Sequence, residues 1–247
     1  MRCAGEKPDV MTNSKNGILY LVPSLLSEEN PGVIPDHARS ILYTLSHFIV
    51  ENEKTARHFL KAVKYPEPLQ NVHMNVLDEH TPAARVPELL KPISQGISIG
   101  IISEAGCPAV ADPGSDLVRI AHAQKITVMP LVGPSSILLA LMASGLNGQQ
   151  FSFAGYLPKD RNARIKKIRE LERKVTATNE TQIFIEAPYR NRHLLDDILQ
   201  NCSPTTLLCL AVSLTASDQF IKTRTVSTWK DEIPDIQKKP VVFLLGR

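Results

Sequence analysis

The chain has 247 residues, 43% of them hydrophobic and 21% charged, with a formal net charge of +3. This length suits one large domain or two small ones with a sizeable core, and the composition excludes a disordered or fibrous chain. The longest strongly apolar runs, such as Ile137 to Ala143, fall far short of the roughly 20 residues that span a bilayer, and the small cationic excess does not by itself name a nucleic-acid partner.

Cys3, Cys107, Cys202 and Cys209 form neither a CxxC pair nor a zinc-ligand spacing. They read as reduced thiols in a cytoplasmic protein without a metal. The polar leader, residues 1–16, lacks the apolar stretch of a signal peptide; it is expected to be disordered, and Met11 is an alternative start.

Ile18 to Val22 is a continuous apolar run closed by Pro23, the pattern of a strand buried on both faces. Helical spacing follows at Ala38, Ile41, Leu42 and Leu45, then a strand at Phe48–Val50 and a helix over Lys54–Val63. A helix is predicted at Ala83–Ile93, with Pro87 and Pro92 near its ends. Ile97–Ile102 reads as a strand, Ser115–Gln124 as a helix and Ile126–Met129 as a strand. Strands alternating with helices predict crossover units and a largely parallel sheet.

In the second half, an apolar helix over Ser135–Ser144 starts after Gly133-Pro134. Strands are predicted at Phe151–Ala154, Gln182–Glu186, Leu207–Val212 and Val241–Leu245. Helices are expected at Asn162–Val175 and Arg190–Asn201, and a hairpin within Ser213–Val226. The predicted class is α/β, two α/β domains over residues 17–130 and 131–247, with a mixed second sheet.

Two loops carry chemical potential. Ser103 to Gly114 holds two glycines and two prolines in twelve residues, a stiff loop at the carboxyl end of a strand, where open α/β sheets bind ligands. It is neither GxGxxG nor a Walker loop; a plain strand-to-helix turn capped around Asp112 to Ser115 is the competing explanation. Pro130 to Ser136 ends a strand, turns at Gly133-Pro134 and opens a helix whose free amides attract polar ligand atoms; taken alone, the segment is better explained by simple capping.

Together, Ile99 to Gly114, Val128 to Ser136 and Ala143-Ser144-Gly145-Leu146 resemble the tetrapyrrole methylase superfamily, in particular its branch of bacterial 16S ribosomal-RNA cytidine 2′-O-methyltransferases. Phe151 to Pro158, Phe184 to Arg190 and Lys239 to Leu245 extend the resemblance in the same order. It implies S-adenosylmethionine as methyl donor, a cleft between two α/β domains, a homodimer and an RNA substrate. The implied cofactor contacts are Gly106, Cys107, Pro108 and Val110, then Gly133, Pro134, Ser135 and Ser136, and the strand residues Phe184, Ile185, Ala211 and Val212 with Pro240, many of them through backbone. Glu79 or Glu104 is the candidate for positioning the acceptor hydroxyl, and His80 and Lys54 are candidate substrate contacts; each is equally a solvated or capping loop residue.

The departures from the family pattern cluster at the expected acceptor side. Pro23-Ser24-Leu25-Leu26-Ser27 stands where relatives carry Pro-x-Gly-Asn-Leu, and Glu51-Asn52-Glu53-Lys54 where they carry Glu-Asp-Thr-Arg. Asn52 cannot be a carboxylate base, and Lys54 lacks the fork of an arginine. Val212-Ser213-Leu214-Thr215-Ala216 keeps only the Leu-Thr of an Arg-Glu-Leu-Thr-Lys run. A cationic stretch runs through Lys159, Arg161, Arg164, Lys166, Lys167, Arg169, Arg173 and Lys174. On a helix with Ile165, Ile168, Leu171 and Val175 inward, it presents cations that suit phosphates or merely solvate the surface. The reading is a methyltransferase acting on ribosomal RNA; a tetrapyrrole or other small acceptor, or a member that binds without transferring, remains open.

Overall fold

A strand that is apolar at every position needs cover on both faces, and Leu19–Val22 (β1) receives it in the computed structural model, which describes residues 16–247. Residues 1–15 of the leader, with Met1, Cys3 and Met11, lie outside the described residues. β1 joins His47–Val50 (β2), His73–Val76 (β3), Ile99–Ile102 (β4) and Val128–Pro130 (β5) in one sheet of order β3-β2-β4-β1-β5, parallel throughout. Side chains alternate across it. Val22, Phe48, Val50 and Ile102 pack with α1 (Asp36–Leu42) and α2 (Glu53–Ala62), which bury Leu42, Phe59 and Leu60. Leu19, Ile49, Ile99 and Ile101 pack on the other side with Leu90, Ile93 and Leu117, the last from α3 (Gly114–Ala123).

Two elements differ from the sequence expectation. Ala83–Gln95 is a run of 3-10 turns rather than an α-helix. Pro87 and Pro92 have no N–H to donate, and their rings obstruct the carbonyls four residues earlier, so tighter turns replace the α ladder. β3 was not predicted because His73-Met74-Asn75-Val76 alternates over only four residues, with two apolar side chains that stay largely uncovered at the sheet edge.

The second sheet follows α4 (Ser136–Ser144) and contains Phe151–Tyr156 (β6), Thr181–Ile185 (β7), Leu207–Val212 (β8), Phe220–Thr225 (β9) and Val241–Gly246 (β10). Its order is β6-β7-β10-β8-β9, with β6 and β7 parallel and the remaining pairs antiparallel. The expected pairing of a parallel first sheet with a mixed second one is therefore found. The hairpin expected within Ser213–Val226 is instead β8 paired with β9 across residues 213–219. Val226–Asp231 (α7) is a helix begun by the Thr225 hydroxyl, which accepts the Thr228 N–H. α7 buries Trp229, whose indole N–H donates to the Leu208 carbonyl at 2.8 Å.

One face of this sheet, with Phe184, Leu210 and Phe243, packs beneath α5 (Arg161–Thr178), α6 (Asn191–Asn201) and α7. The other, with Ile183, Cys209, Ala211 and Val242, packs against Ala140 and Leu141 of α4 and against Leu26 from the loop after β1. Leu26 thereby joins the two halves. Among the described residues, no helix is long and apolar enough to cross a membrane.

The inward face of α5 also requires a correction. Ile165 is only half-buried, and Arg164, grouped by sequence with the outward cations, is buried. Its Nε and Nη2 both donate to Asp197 Oδ2, at 2.9 and 2.7 Å, while Asp197 Oδ1 accepts Arg161 Nε at 3.0 Å. A cation takes a core position here because α6 supplies a buried carboxylate opposite it. Removing one partner of such a pair leaves a charge stranded in the core. Asp197→Ala is expected to lower stability by about 3–5 kcal/mol in urea unfolding, and Arg164→Met combined with Asp197→Leu is expected to recover most of that loss.

Candidate functional site

In a parallel sheet, all the loops that follow strands leave from one edge. Here those after β1, β2, β4 and β5 meet in a small area. Ser24 N–H donates to the Gly106 carbonyl at 2.9 Å, and Ser103 Oγ donates to the same oxygen at 3.3 Å. Cys107 Sγ lies 3.5 Å from the Pro134 carbonyl. Gly106 has φ +76°, a region that L side chains avoid, and a Cβ there would lie 3.2 Å from Leu26 and 3.4 Å from the Pro134 carbonyl. The two loops singled out in the sequence are thus one packed unit. Gly106, Pro108 and Pro134 are buried, Cys107, Gly133, Ser135 and Ser136 are half-buried, and Val110 is exposed. Burial raises the Cys107 pKa, favouring the neutral thiol.

The Asp112 carboxylate holds the rest of this loop. It accepts the N–H of Ala109 at 2.9 Å and of Gly114 at 2.7 Å, across two residues, Ala109 and Ala111, in the left-handed region at φ 65° and 61°. Backbone held in such conformations needs over-determining contacts and gathers at binding sites. Ser135 Oγ accepts the Leu138 N–H at 3.4 Å and so caps α4.

The second sheet contributes its own edge. β10 runs antiparallel to β7 and β8, so the starting end of β10 lies beside the finishing ends of its neighbours. This register gathers Phe184, Ile185, Ala211, Val212 and Pro240, and Ser213 N–H donates to the Pro240 carbonyl at 2.9 Å. The side chains of Phe184 and Val212 lie in the core beneath α5 and α6, which leaves the strand-end backbone and the partly buried Ile185 at this edge. Glu186 follows β7; its Oε1 accepts from Ala187 N–H at 2.7 Å and from Arg190 Nε at 3.0 Å.

The polar groups facing each other across this gap come mainly from positions that sequence reasoning passed over. Glu51, directly after β2, accepts the Glu104 N–H at 3.1 Å. Burial raises its pKa, as do the charges of Asp112 and Glu104, while the Glu104 N–H opposes them. Tyr156, at the end of β6, has its hydroxyl raised by burial and by the charges of Glu186, Glu51 and Glu104, against Arg190. The first sheet's carboxylates therefore act directly on the second sheet's tyrosine. The available sequence signal was Glu51 immediately after a buried strand, which the altered Asn52 beside it obscured.

Other sequence candidates lie apart from this junction. Glu79 and His80 sit on the turn after β3, 3.6 Å from each other, with side chains 86% and 82% exposed. Lys54 is exposed in the first turn of α2, where Asn52 Oδ1 accepts the N–H groups of Lys54 and Thr55. Lys166 is exposed on α5, whereas Lys167 is paired with Glu170 at 2.9 Å. Among the described residues, no cluster of His, Cys, Asp and Glu could hold a metal ion.

No family model matches the chain. Solved structures share its architecture: the methyltransferase CobJ, at TM-score 0.63 and 18% identity over 94% of both chains, and uroporphyrin-III C-methyltransferase of Thermus thermophilus complexed with S-adenosylhomocysteine, at TM-score 0.59 and 14% identity over 94% of this chain and 98% of that one. The fold, in which the loop after the first strand packs against the second sheet, is that of the tetrapyrrole methylases. Ribosomal RNA small subunit methyltransferase I of Vibrio cholerae is 31% identical over 95% of this chain and 81% of the relative, and that of Xylella fastidiosa is 30% identical over 89% and 77%. The chain belongs to this methyltransferase family.

The raised pKa of Glu51 makes its ionisation unfavourable for folding. A carboxyl raised in the folded state contributes stability below its ordinary value of 4.5 and loses that contribution as pH rises through the folded value. Glu51→Gln keeps an oxygen to accept the Glu104 N–H and removes the charge. The melting temperature of Glu51→Gln relative to the parent is therefore expected to rise between pH 4 and pH 8, as read from thermal scans across that range.

Proposed function

We propose that the protein transfers a methyl group from S-adenosylmethionine to RNA, with a ribose 2′-hydroxyl of small-subunit ribosomal RNA as acceptor. The observation that carries this is the cleft itself, where the Gly106 and Pro134 loops face a desolvated carboxylate, in a chain whose relatives are named as ribosomal RNA methyltransferases. The residues fit the cofactor. The left-handed Gly106 leaves its loop without a Cβ at the junction, and Ser24 Oγ and Thr215 Oγ1 are buried without partners among the described residues, as suits a ligand rich in polar groups. The ligand-contact set is Gly106, Cys107, Pro108, Val110, Gly133, Pro134, Ser135, Ser136, Ile185 and Pro240, with backbone from Phe184, Ala211 and Val212.

When bound, S-adenosylmethionine supplies a sulfonium methyl whose leaving group departs as a neutral thioether, so no acid is required. The chain must align the acceptor and take its proton. Glu51 is the group placed to receive that proton: its Oε1 is anchored by the Glu104 N–H and its burial makes it more basic. Glu104 positions Glu51 through its backbone, and Glu79, His80 and Lys54 reach RNA outside the reacting nucleotide.

The outer face of α5 provides the phosphate surface. A groove of 690 Å³ is lined by Lys166, Arg169 and Arg173 with Asn162, Ile165, Asn201 and Glu172, and the Glu172 carboxylate is engaged by the Ser203 N–H and the Thr206 hydroxyl. α5 extends about 27 Å at the usual helical rise, so these cations suit several consecutive phosphates. A second copy of the chain is proposed as partner, a reading supported by the apolar α4, whose Leu138 and Met142 are 51% and 79% exposed. A cytoplasmic location accords with an RNA substrate.

The deciding experiment transfers labelled methyl from S-adenosylmethionine into extract of a strain lacking the protein, fractionated into RNA and small molecules. Label in small-subunit ribosomal RNA is the expected result. Label confined to small molecules refutes the acceptor, and cofactor binding without label refutes transfer. Gly106→Val is expected to weaken cofactor binding by about tenfold or more in titration calorimetry. Glu51→Gln is expected to lower kcat by about a hundredfold with little change in KM, whereas Glu79→Gln leaves kcat near the parent value. Lys166→Glu combined with Arg173→Glu is expected to weaken RNA binding and flatten its dependence on salt.

A further inference from the structure

A one-residue irregularity in β6 determines what faces the cleft from the second sheet. Successive residues of a strand point to opposite faces. Phe153 pairs with Ile183, and both pack on the α4 face; Ala154 and Phe184 pack on the opposite face, beneath α5 and α6. Uninterrupted pairing would set Gly155 against Ile185 and turn Tyr156 in beneath the helices. Instead Tyr156 pairs with Ile185, whose side chain belongs to the α4 face. Gly155 is the extra residue, with φ +66° and nothing within 4 Å of the place a Cβ would occupy. This glycine serves the backbone conformation of a bulge rather than a close approach, and bulges of this kind re-aim a side chain.

The result is a large aromatic side chain, 57% exposed, on the face that also receives Leu26 from the first sheet's loops. A second tyrosine accompanies it. Tyr189, just beyond the end of β7, is 67% exposed. The Arg190 guanidinium lies 5.6 Å from the Tyr189 ring centre, and Glu186, itself buried, binds that guanidinium. The charges of Glu186 and Arg190 also act on the Tyr156 hydroxyl. The Glu186–Arg190 ion pair, its carboxylate buried and its guanidinium half-buried, therefore lies beside the Tyr189 ring and acts on the Tyr156 hydroxyl.

We infer that Tyr156 and Tyr189 form a stacking subsite for a nucleobase of single-stranded acceptor RNA, with Tyr156 delivered to it by the Gly155 bulge. This rests on the RNA reading and deepens it. An unpaired base offers a π-face to any ring, and enzymes that modify a nucleotide draw it out of its helix before reacting. With the base held on the second sheet's wall, its ribose is directed toward Glu51 on the first.

The test uses the full chain and a short single-stranded RNA carrying 2-aminopurine, whose fluorescence is quenched when it stacks. Tyr156→Ala and Tyr189→Ala are each expected to lose quenching and weaken binding by about fivefold to a hundredfold, with the salt slope unchanged, because no phosphate contact is removed. Tyr156→Phe, which keeps the ring, is expected to retain both quenching and affinity. Wild-type quenching and affinity in the alanine variants would overturn the stacking subsite while leaving RNA binding intact. A loss in Tyr156→Phe equal to that in Tyr156→Ala would also overturn it, by assigning the effect to the hydroxyl. If the parent chain binds no RNA at any salt concentration, the RNA reading itself fails and the subsite with it.

Discussion

The carbonyl of Gly106 is the point on which the site depends. It accepts from Ser24 after β1 and from Ser103 after β4, while its neighbour Cys107 rests on Pro134 after β5. Three loops are fixed to one another at two backbone carbonyls, that of Gly106, reached by the Ser24 N–H and the Ser103 hydroxyl, and that of Pro134, reached by the Cys107 thiol. Parallel connectivity makes this possible, because every crossover returns the chain to the same edge. Leu26 then carries the arrangement across to the second sheet, aided by Glu29, which accepts the Ser217 N–H at 2.7 Å.

Charge is distributed unevenly around this frame. Glu51 and Asp112, both with carboxyls raised chiefly by burial, stand at the strand ends, while the α5 cations lie on an outer surface. Such a division suits the proposed substrate, with phosphates on the outside and the desolvated carboxylate opposite a neutral hydroxyl. Tyr156 is within reach of charges from both sheets, Glu51 and Glu104 of the first and Glu186 and Arg190 of the second.

The departures from the family pattern take on a definite meaning in this setting. Asn52 begins α2 through its side-chain oxygen, a task that asparagine and aspartate perform alike. Leu26 packs in the core between the sheets rather than offering a polar group. Ser213 and Thr215 adopt left-handed backbone at φ 50° and 71°, so the loop after β8 keeps a defined shape with altered side chains. The shape of these loops is defined by capping, packing and backbone conformation even where their side chains depart from the family pattern.

Local patterns were sufficient for the fully buried strands, because β1, β4, β8 and β10 must be apolar on both faces, and for the two loops whose glycines and prolines exclude regular structure. The order of these motifs carried the fold class and the family. What the sequence could not show were features set by partners distant along the chain. Arg164 occupies a core position only because Asp197 lies opposite it, and β3 exists through its pairing with β2. Glu51 becomes more basic only through the burial that the meeting loops impose. Tyr156 belongs to the cleft only because its register against Ile185 shifts by one residue. Periodicity and composition are properties of neighbours in sequence and are legible there; desolvation, ion pairing and strand register are set by neighbours in space and were decided by the tertiary structure alone.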